Sequence, residues 1–449
     1  MSYNQKVSNI QRNISINKLK RSNLNFIEEF ISEDNLKKLN SNSRDRIYTP
    51  TQTLSMFVSQ AINKDGFCQN VVNQLALKRD KNISISTSAY SKARGRLSTK
   101  LISKITKELA IKDEKKSKNQ WKFRGRDIYL IDGTTITMSD TLANQEAYPQ
   151  PKYQKKGLGF PICRLVGIIS LTTGSIIDVS LGTFGGKGTG ERMLLLDILH
   201  NFKKGDIILA DALYSTYSLL SFAIRKEIDI IFVQNGMRAK KADFTKGEIL
   251  GKNDHIIMLQ QPKKNPDWMS NEEIKNIPKE LRIREIKIGG KILVTTMLSE
   301  KEISGKTIKN LYKERWNIEV DFRNIKITLG LTTFKCKSPK MIIKEMWTHF
   351  LAYNIIRSLM LDSACYNKIL PRSISFKNSL QLYLHYLNKP TKLNYRKLLK
   401  LICKKIIGNR AGRIEPRAIK KRANAYPLLM KPRAIAKANV FKNGHPKKR

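Results

Sequence analysis

The sequence predicts an α/β fold: a mixed sheet flanked by helices, with a helical region before it and a strongly basic region after it. Three observations predict this fold. Apolar residues recur at helical spacing over residues 24–110. From residue 127 onward, short apolar runs of strand length alternate with amphipathic helices, which is the order typical of α/β proteins. Beyond Lys404 the only acid is Glu415, among many lysines and arginines.

Residues 24–110 are predicted to form a set of helices. The pattern LNFIEEFISEDNLKKL is followed by a polar loop, and a second helix is expected after Pro50, with Thr51 as its possible cap. The short helices that follow carry Lys92, Arg94 and Arg96. Two interpretations remain open here: a compact DNA-binding module, helix-turn-helix-like in form, or a helical bundle with ordinary surface cations.

A charged linker over residues 112–126 separates these helices from the predicted sheet. DIYLID (127–132) and DIILADA (206–212) are apolar runs that contain an acid near their ends, and RLVGIISLTTG and SIIDVSLG predict two strands joined at Thr173 and Gly174. Helices are predicted from near Gly190 and over TYSLLSFAIRKE, and IDIIFVQN predicts a further strand. The order strand, strand, strand, helix, strand, helix, strand predicts a mixed sheet covered by helices.

The rest of the chain supplies an insertion, a core helix and a tail. Short strand-like pieces over residues 236–300, with a loop rich in Pro and Asn around Trp268, predict a β-rich insertion. MIIKEMWTHFLAYNIIRSLML predicts a buried helix, and the basic tail is expected to be partly disordered and to bind phosphate backbones without sequence preference. The predicted divisions are 1–122 (helical N-terminal domain, with DNA binding as one of its two interpretations), 123–235 (α/β core, first part), 236–300 (β-rich insertion), 301–380 (α/β core, second part) and 381–449 (basic C-terminal region).

The charge of the chain indicates a polyanionic partner. Its 84 Lys and Arg against 37 Asp and Glu give a formal net charge of +47. Nucleic acid is therefore the leading partner, and an anionic membrane surface is a distant second. We expect neither a signal peptide nor a transmembrane span, because the N-terminus is polar and no long apolar run appears. The five cysteines lack zinc-site spacing and suggest reduced thiols in a cytoplasmic protein.

Tyr312, Arg315, Glu319 and Lys326 form a tetrad whose members stand three, four and seven residues apart. That spacing predicts one face of a helix. The arginine and the lysine can bind phosphate oxygens, and the carboxylate can ligate a hard cation. The alternative is a solvated helix face with ion pairs such as Arg315–Glu319, and the tetrad alone does not decide between the two.

Asp132 and Asp211 close two of the apolar runs, and Glu319 lies on a later helix. Ligands of α/β proteins bind at the ends of strands, so three carboxylates meeting there could hold two divalent cations about 4 Å apart. Mg²⁺ is the expected ion, with Mn²⁺ as a possible substitute, because Mg²⁺ binds through a few carboxylates and substrate phosphate. Each aspartate has a structural alternative: a turn with Gly133 for Asp132, and a helix cap for Asp211.

Two further features have a functional and a structural interpretation. The glycine-rich stretch at residues 185–191 opens a helix and could bind an anion, although a flexible strand-to-helix turn explains it as well. Trp268 could stack on an unpaired base, although a lone tryptophan is more often a packing residue.

Taken together, these residues resemble the DDE transposases of bacterial insertion sequences, specifically the insertion-sequence-four family. The hallmark of that family, Tyr-x2-Arg-x3-Glu-x6-Lys, is matched by the tetrad. Its first catalytic acid lies in a DGT motif, matched at Asp132, and its second follows an apolar strand, matched by Asp211 in LADALYS. Supporting similarities lie at residues 48–50, 87–97, 186–191 and 410–417. The resemblance covers roughly residues 45–430.

The resemblance implies an RNase H-like core with a β-rich insertion between the second aspartate and the glutamate. It implies cut-and-paste transposition, in which hydrolysis exposes a 3′-hydroxyl at the end of the element and this hydroxyl then attacks target DNA. Asp132, Asp211 and Glu319 would be catalytic and bind Mg²⁺, while Tyr312, Arg315 and Lys326 would contact DNA.

It also implies a homodimer on the terminal inverted repeats and target DNA, in a bacterial cytoplasm at the nucleoid. Two other hypotheses remain open: a catalytically inactive DNA-binding protein derived from a transposase, and an RNase H-like nuclease without strand transfer.

Overall fold

A computed structural model shows how the chain folds. It describes residues 26–40, 47–63, 65–78, 83–155, 157–186, 188–263, 277–387, 391–408 and 431–444. The predicted loop around Trp268, the motif at residues 410–417 and most of the basic tail lie outside the described residues. No helix within those ranges is both long enough and apolar enough to cross a membrane.

Helices make up the N-terminal region, as predicted. A 3₁₀ turn at Phe26–Glu29 precedes five α-helices: α1 (Glu33–Asn40), α2 (Pro50–Ile62), α3 (Cys68–Lys78), α4 (Ser88–Arg96) and α5 (Thr99–Lys116). Since α5 continues to Lys116, the first residues of the predicted linker are helical instead.

The start of α2 corrects one prediction. Pro50 occupies the first turn, where its fixed φ and missing N–H are tolerated. The capping residue is Thr49 and not Thr51, because the Thr49 hydroxyl accepts the backbone N–H of Gln52 at 3.2 Å. Thr51 is instead buried inside the helix.

The α/β core follows the predicted order of strands and helices except for a short helix between the first two strands, Leu142–Ala147, which was not predicted. Its elements are β1 (Ile128–Met138), α6 (Leu142–Ala147), β2 (Ile162–Ser170), β3 (Ile176–Thr183), α7 (Glu191–Leu196), β4 (Ile207–Ala210), α8 (Tyr217–Arg225), β5 (Asp229–Val233) and α9 (Gly236–Ala239).

The strands are arranged β3-β2-β1-β4-β5. The first three pair antiparallel, while β4 lies parallel to both β1 and β5. This is the arrangement of an RNase H-like core, so the predicted fold class is confirmed.

The insertion is rich in β-structure, as predicted, and its strands extend the same sheet. They are β6 (Glu248–Gly251), β7 (Asp254–Gln260), β8 (Glu280–Ile288) and β9 (Lys291–Thr295). Because β9 pairs antiparallel with β5, the described strands form one ten-stranded sheet.

Helices dominate the remaining residues. A 3₁₀ turn (Glu314–Trp316) and a π turn (Asn324–Thr328) interrupt this part of the chain. Its other elements are α10 (Gly305–Lys313), α11 (Asn317–Arg323), β10 (Thr333–Phe334), α12 (Pro339–Asn367), α13 (Phe376–Tyr386), α14 (Lys392–Lys404) and α15 (Arg433–Asn443). The regular helix predicted over residues 312–326 is therefore wrong in detail, since a 3₁₀ turn and a π turn interrupt it.

The sheet separates two apolar layers. Alternate residues of β1 point to opposite faces. Leu130 packs on the face that α12 covers, where Leu351 and Ile355 are fully buried. Ile131 packs on the other face, against residues of α7 and α8. The prediction of a buried helix at α12 is confirmed, and helices on both faces leave only the ends of the strands open to a substrate.

Candidate active site

Asp132 lies inside β1 and not at its end. The strand continues to Met138, so the alternative of a turn at Gly133 is wrong. Beyond Leu130, β1 has no pairing partner in β4, because β4 ends at Ala210. The carboxylate of Asp132 therefore stands where the sheet opens between its first and fourth strands.

Asp211 is the first residue after β4, as predicted. Its Oδ1 accepts the backbone N–H of Leu213 at 2.8 Å, which fixes a tight turn. The alternative in which Asp211 caps the next helix is wrong, because Thr216 caps α8 by accepting the N–H of Leu219. One side chain therefore holds the turn, and another starts the helix.

Arg315 joins Glu319 to Asp132. Its Nη2 donates to Glu319 Oε1 at 2.8 Å, and its Nη1 lies 3.6 Å from Asp132 Oδ2. The Arg315–Glu319 ion pair of the alternative considered above does form, but the arginine side chain is only 16% exposed and also reaches Asp132, so it is not part of a fully solvated helix face. A single arginine thus connects a central strand with a helix that follows the insertion. We call Asp132, Asp211 and Glu319 the acid cluster.

Burial and like charge affect the ionisation of Asp132. Burial raises the pKa of Asp132 to about 6, and the charge of Asp211 adds to this rise, while the Gly133 N–H and Arg315 oppose it. Burial also raises the pKa of Tyr312, and the negative charges of Asp211 and Asp132 raise it further. Excess negative charge at a half-buried position favours a bound cation.

Lys326 lies apart from the other tetrad members. It belongs to the π turn, and its Nζ donates to the backbone oxygen of Thr135 on β1 at 2.9 Å. Burial lowers the pKa of this ammonium group. The side chain thus lies along the open edge of β1, three residues beyond Asp132, and π turns often occur at functional positions.

The donor chemistry of the acid cluster suits a hard divalent cation, since all three donors are carboxylates. Within the described ranges, however, no three acid, histidine or cysteine side chains lie close enough to share one ion. The Arg315 guanidinium supplies the positive charge between Asp132 and Glu319 instead. The cluster therefore fits a cation chemically, and Arg315 would have to withdraw for all three acids to bind it.

Glu191 is a fourth acid at this site, and no role was predicted for it from the sequence. It opens α7 after the glycine-rich stretch, of which Lys187 lies outside the described residues. Its Oε2 accepts the Tyr214 hydroxyl at 3.2 Å, and burial raises its pKa, with Asp211 contributing. No spacing in the sequence connects Glu191 with Asp132 or Asp211. Two signals could have drawn attention to it: its position directly after a glycine-rich turn, and the family resemblance over residues 186–191.

The strand order defines the class of the fold: an RNase H-like sheet, with Asp132, Asp211 and Glu319 near its opening. Residues 123–355, more than half of the chain, match the family model described as transposase DDE domain, and the chain belongs to this family.

It is 25% identical over 394 residues to the transposase InsG for insertion sequence element IS4 of Escherichia coli (strain K12), across 83% of this chain and 86% of that relative. Together the two matches confirm the predicted resemblance and a DNA transposase activity. Members of the family generally use divalent metal ions.

One solved structure also aligns with the chain. The cryo-EM structure of the piggyBac transposase synaptic complex with hairpin DNA matches with a TM-score of 0.42 and 9% identity. The alignment covers 84% of this chain and 80% of that one.

Proposed function

We propose that this transposase excises and reinserts its own insertion sequence by a cut-and-paste reaction, with Mg²⁺ as the cation and Mn²⁺ as a substitute. The observation that carries the proposal is the contact of Arg315 with both Asp132 and Glu319, next to the turn of Asp211. Arg315 thus bridges two acids that lie far apart in the sequence, and the charge of Asp211 acts on one of them, Asp132.

Asp132, Asp211 and Glu319 are the proposed catalytic residues and Mg²⁺ ligands. Bound Mg²⁺ would supply activation of a water or 3′-hydroxyl and stabilisation of the leaving oxygen. The protein contributes a half-buried pocket of carboxylates in which these charges act strongly. The proposal requires the acids to be ionised, so metal binding should weaken as pH falls.

Arg315, Lys326 and Tyr312 are the proposed DNA contacts of this site. Arg315 can form paired hydrogen bonds with a phosphate in place of its carboxylate partners. Lys326 stands on the open edge of β1, where a phosphate can compete for its ammonium group. Tyr312, beside the two aspartates, can contact the DNA backbone.

The N-terminal helices are the proposed binding domain for the terminal inverted repeats. α2, α3 and α4 pack around a small apolar core that includes Met56, Val71 and Tyr90. Arg94 has a structural role, since its guanidinium lies over Phe57 at 4.9 Å. Lys92 and Arg96 face solvent from the same helix and remain available for phosphates. This supports the helix-turn-helix-like interpretation, and synapsis of two ends would use a homodimer.

A cleavage and strand-transfer assay tests the proposal. Labelled DNA from the ends of the element is incubated with the protein and Mg²⁺ or EDTA. We expect metal-dependent cutting at the boundary, followed by joining to target DNA. Asp132→Asn, Asp211→Asn and Glu319→Gln should each lower cleavage by at least about 1000-fold and leave DNA binding intact. Glu314→Gln, an exposed neighbour of Arg315, is the matched control and should cleave normally.

Three outcomes contradict parts of this proposal. Normal cleavage by any one of the three acid variants removes that residue from the acid cluster. Binding without cutting, even with Mn²⁺, supports the inactive DNA-binding protein. Cutting without joining supports the nuclease.

A further inference from the structure

Glu191 approaches β1 from the face opposite the side chain of Asp132. Tyr129 and Ile131 alternate along the strand and pack with Leu195 of α7. Gly133 is the next residue of that series, so its missing side chain would point toward α7. The carboxyl group of Glu191 fills this position, and a methyl group at Gly133 would overlap it.

Position 133 therefore needs a glycine because the Glu191 carboxyl group occupies the space of a side chain. Its φ is not among the positive values of the described glycines, so its backbone conformation is open to any residue. What a larger residue would displace is the carboxylate of Glu191. Two residues that are far apart in the sequence thus fit each other directly behind Asp132.

Glu191 is also tied to the turn that carries Asp211. Its Oε2 accepts a hydrogen bond from the Tyr214 hydroxyl at 3.2 Å, and Tyr214 is fully buried. Tyr214 follows Asp211 by three residues, within the turn that the Asp211 carboxylate closes through Leu213. One carboxylate therefore touches both segments that bear the aspartates.

Arg164 of β2 lies beside Glu191 and the glycine-rich turn. Its Nε lies 4.0 Å from Glu191 Oε1, and its Nη1 donates to the backbone oxygen of Thr189 at 2.9 Å. Its guanidinium also lies over the ring of Phe184 at 5.0 Å. The arginine thus anchors both ends of the glycine-rich turn from which Glu191 emerges.

We propose that Glu191 is a positioning residue of the transposase site, which sets the spacing of Asp132 and Asp211 by bracing Gly133 and holding Tyr214. It acts through the two aspartates and does not touch the reacting atoms. The inference rests on the proposed function, in which both aspartates are metal ligands. Loss of a residue that orients metal ligands typically lowers metal affinity by about 10–100-fold.

Mn²⁺ binding, followed by the electron paramagnetic resonance signal of free Mn²⁺, tests the inference without catalysis. With the full chain bound to its end DNA, Glu191→Ala should raise the Mn²⁺ dissociation constant by at least about 10-fold. Tyr214→Phe should act in the same direction with a smaller effect. The double variant should be no weaker than Glu191→Ala alone, because both changes remove one coupled contact. Glu146→Gln, an exposed glutamate on α6, is the control and should bind Mn²⁺ normally.

A second pair of variants exploits the fit at Gly133. Gly133→Ala should weaken Mn²⁺ binding in the wild-type background, and the added Glu191→Ala change should restore part of it, since it removes the overlapping carboxylate. Glu191→Gln keeps the volume and the acceptor for Tyr214, so it should fold and fall between wild type and Glu191→Ala. Thermal unfolding of every variant identifies any change that acts through global stability.

The outcomes separate this inference from the proposed function. If Asp132→Asn abolishes Mn²⁺ binding and the Glu191 variants bind like wild type, the positioning role is wrong and the metal site stands. If Glu191→Ala and Tyr214→Phe weaken binding independently, the coupled contact is wrong. If Asp132→Asn leaves Mn²⁺ binding unchanged, the metal site itself is wrong.

Discussion

Arg315 shares one guanidinium between two carboxylates of the acid cluster. The planar group reaches Asp132 on one side and Glu319 on the other, a geometry that a lysine ammonium cannot copy. In the absence of DNA this contact neutralises part of the cluster. Under the proposed function the same group would bind a phosphate in the DNA complex, so Arg315 would connect substrate binding with the ionisation of the acids.

Arg315→Lys tests this role at the residue scale. We expect single-turnover cleavage to fall by about 10–100-fold, because charge-assisted hydrogen bonds worth about 1.5–3 kcal/mol lose their geometry. Quenched-flow or manual sampling of labelled end DNA measures the rate. Arg323→Lys, an exposed arginine of α11, is the control. Equal rates for the two variants would contradict the bridging role.

Asp113 on α5 gives a prediction for the pH dependence of stability. It is buried and accepts hydrogen bonds from the hydroxyl groups of Ser358 at 2.8 Å and Ser175 at 3.1 Å. Burial raises its pKa from the ordinary range of an aspartate, about 4, to about 7. The unfolded chain therefore releases this proton at lower pH than the folded chain, and stability falls as pH rises from about 4 to 7.

Asp113→Asn removes this titration. The melting temperature of the variant, relative to wild type, should rise between pH 5 and pH 8, as measured by scanning calorimetry. The exposed Glu146→Gln change should show no such trend. A difference between variant and wild type that does not vary with pH would contradict burial of an ionisable Asp113.

Asp321 fixes α11 at the scale of the element. It is fully buried two residues after Glu319 and accepts two hydrogen bonds from Arg372, at 2.8 and 2.7 Å. It also pairs with Arg357 of α12. Asp321 thus anchors α11 to the core, and the same helix carries Glu319 of the acid cluster.

Asp321→Ala should destabilise the fold by about 3–5 kcal/mol, because two arginines would lose their buried partner. Urea unfolding measures this change, with Glu314→Gln as the surface control on the neighbouring turn. Residual folded protein should also cleave poorly, since Glu319 loses its support. A loss below about 1 kcal/mol would show that the buried pairs are dispensable.

The elements also show what the sequence could predict. The order of strands and helices followed from apolar patterning, and the tetrad spacing brought Tyr312, Arg315 and Glu319 to one place. The end of β1 was misjudged, because Gly133 suggested a turn while the β-branched residues after it continue the strand. The 3₁₀ and π turns around α11 depend on packing and not on local pattern, so the position of Lys326 was missed.

At the scale of the whole molecule, the insertion continues the catalytic sheet. The sequence predicted its β-structure but not the pairing of β9 with β5, because that contact joins segments distant in the chain. A polar network also links the two parts: Ser215, in the turn after Asp211, donates to Gln234, and Gln234 donates to Glu285 of β8. Glu191 was missed for the same reason, since its partners come from separate segments.

Because the chain carries a net charge of +47, its affinity for DNA should depend strongly on salt concentration. The logarithm of affinity should fall linearly with the logarithm of salt concentration, by about 0.9 for each phosphate neutralised. Replacing Lys92 and Arg96 by alanine should reduce this slope by about 1 to 2. Fluorescence anisotropy on end DNA measures it, with Lys37→Ala on α1 as the control. An unchanged slope would place the DNA away from α4.

Iron-directed cleavage of the polypeptide tests the acid cluster most directly. Fe²⁺ takes the place of Mg²⁺ in the protein bound to its end DNA, and peroxide with ascorbate then cuts the backbone beside the bound ion. We predict that the backbone is cut next to Asp132, Asp211 and Glu319. Excess Mg²⁺ should suppress these cuts, and so should the Asp132→Asn substitution. Cuts confined to other segments, or a pattern that Asp132→Asn leaves unchanged, would contradict a shared metal site of these three acids.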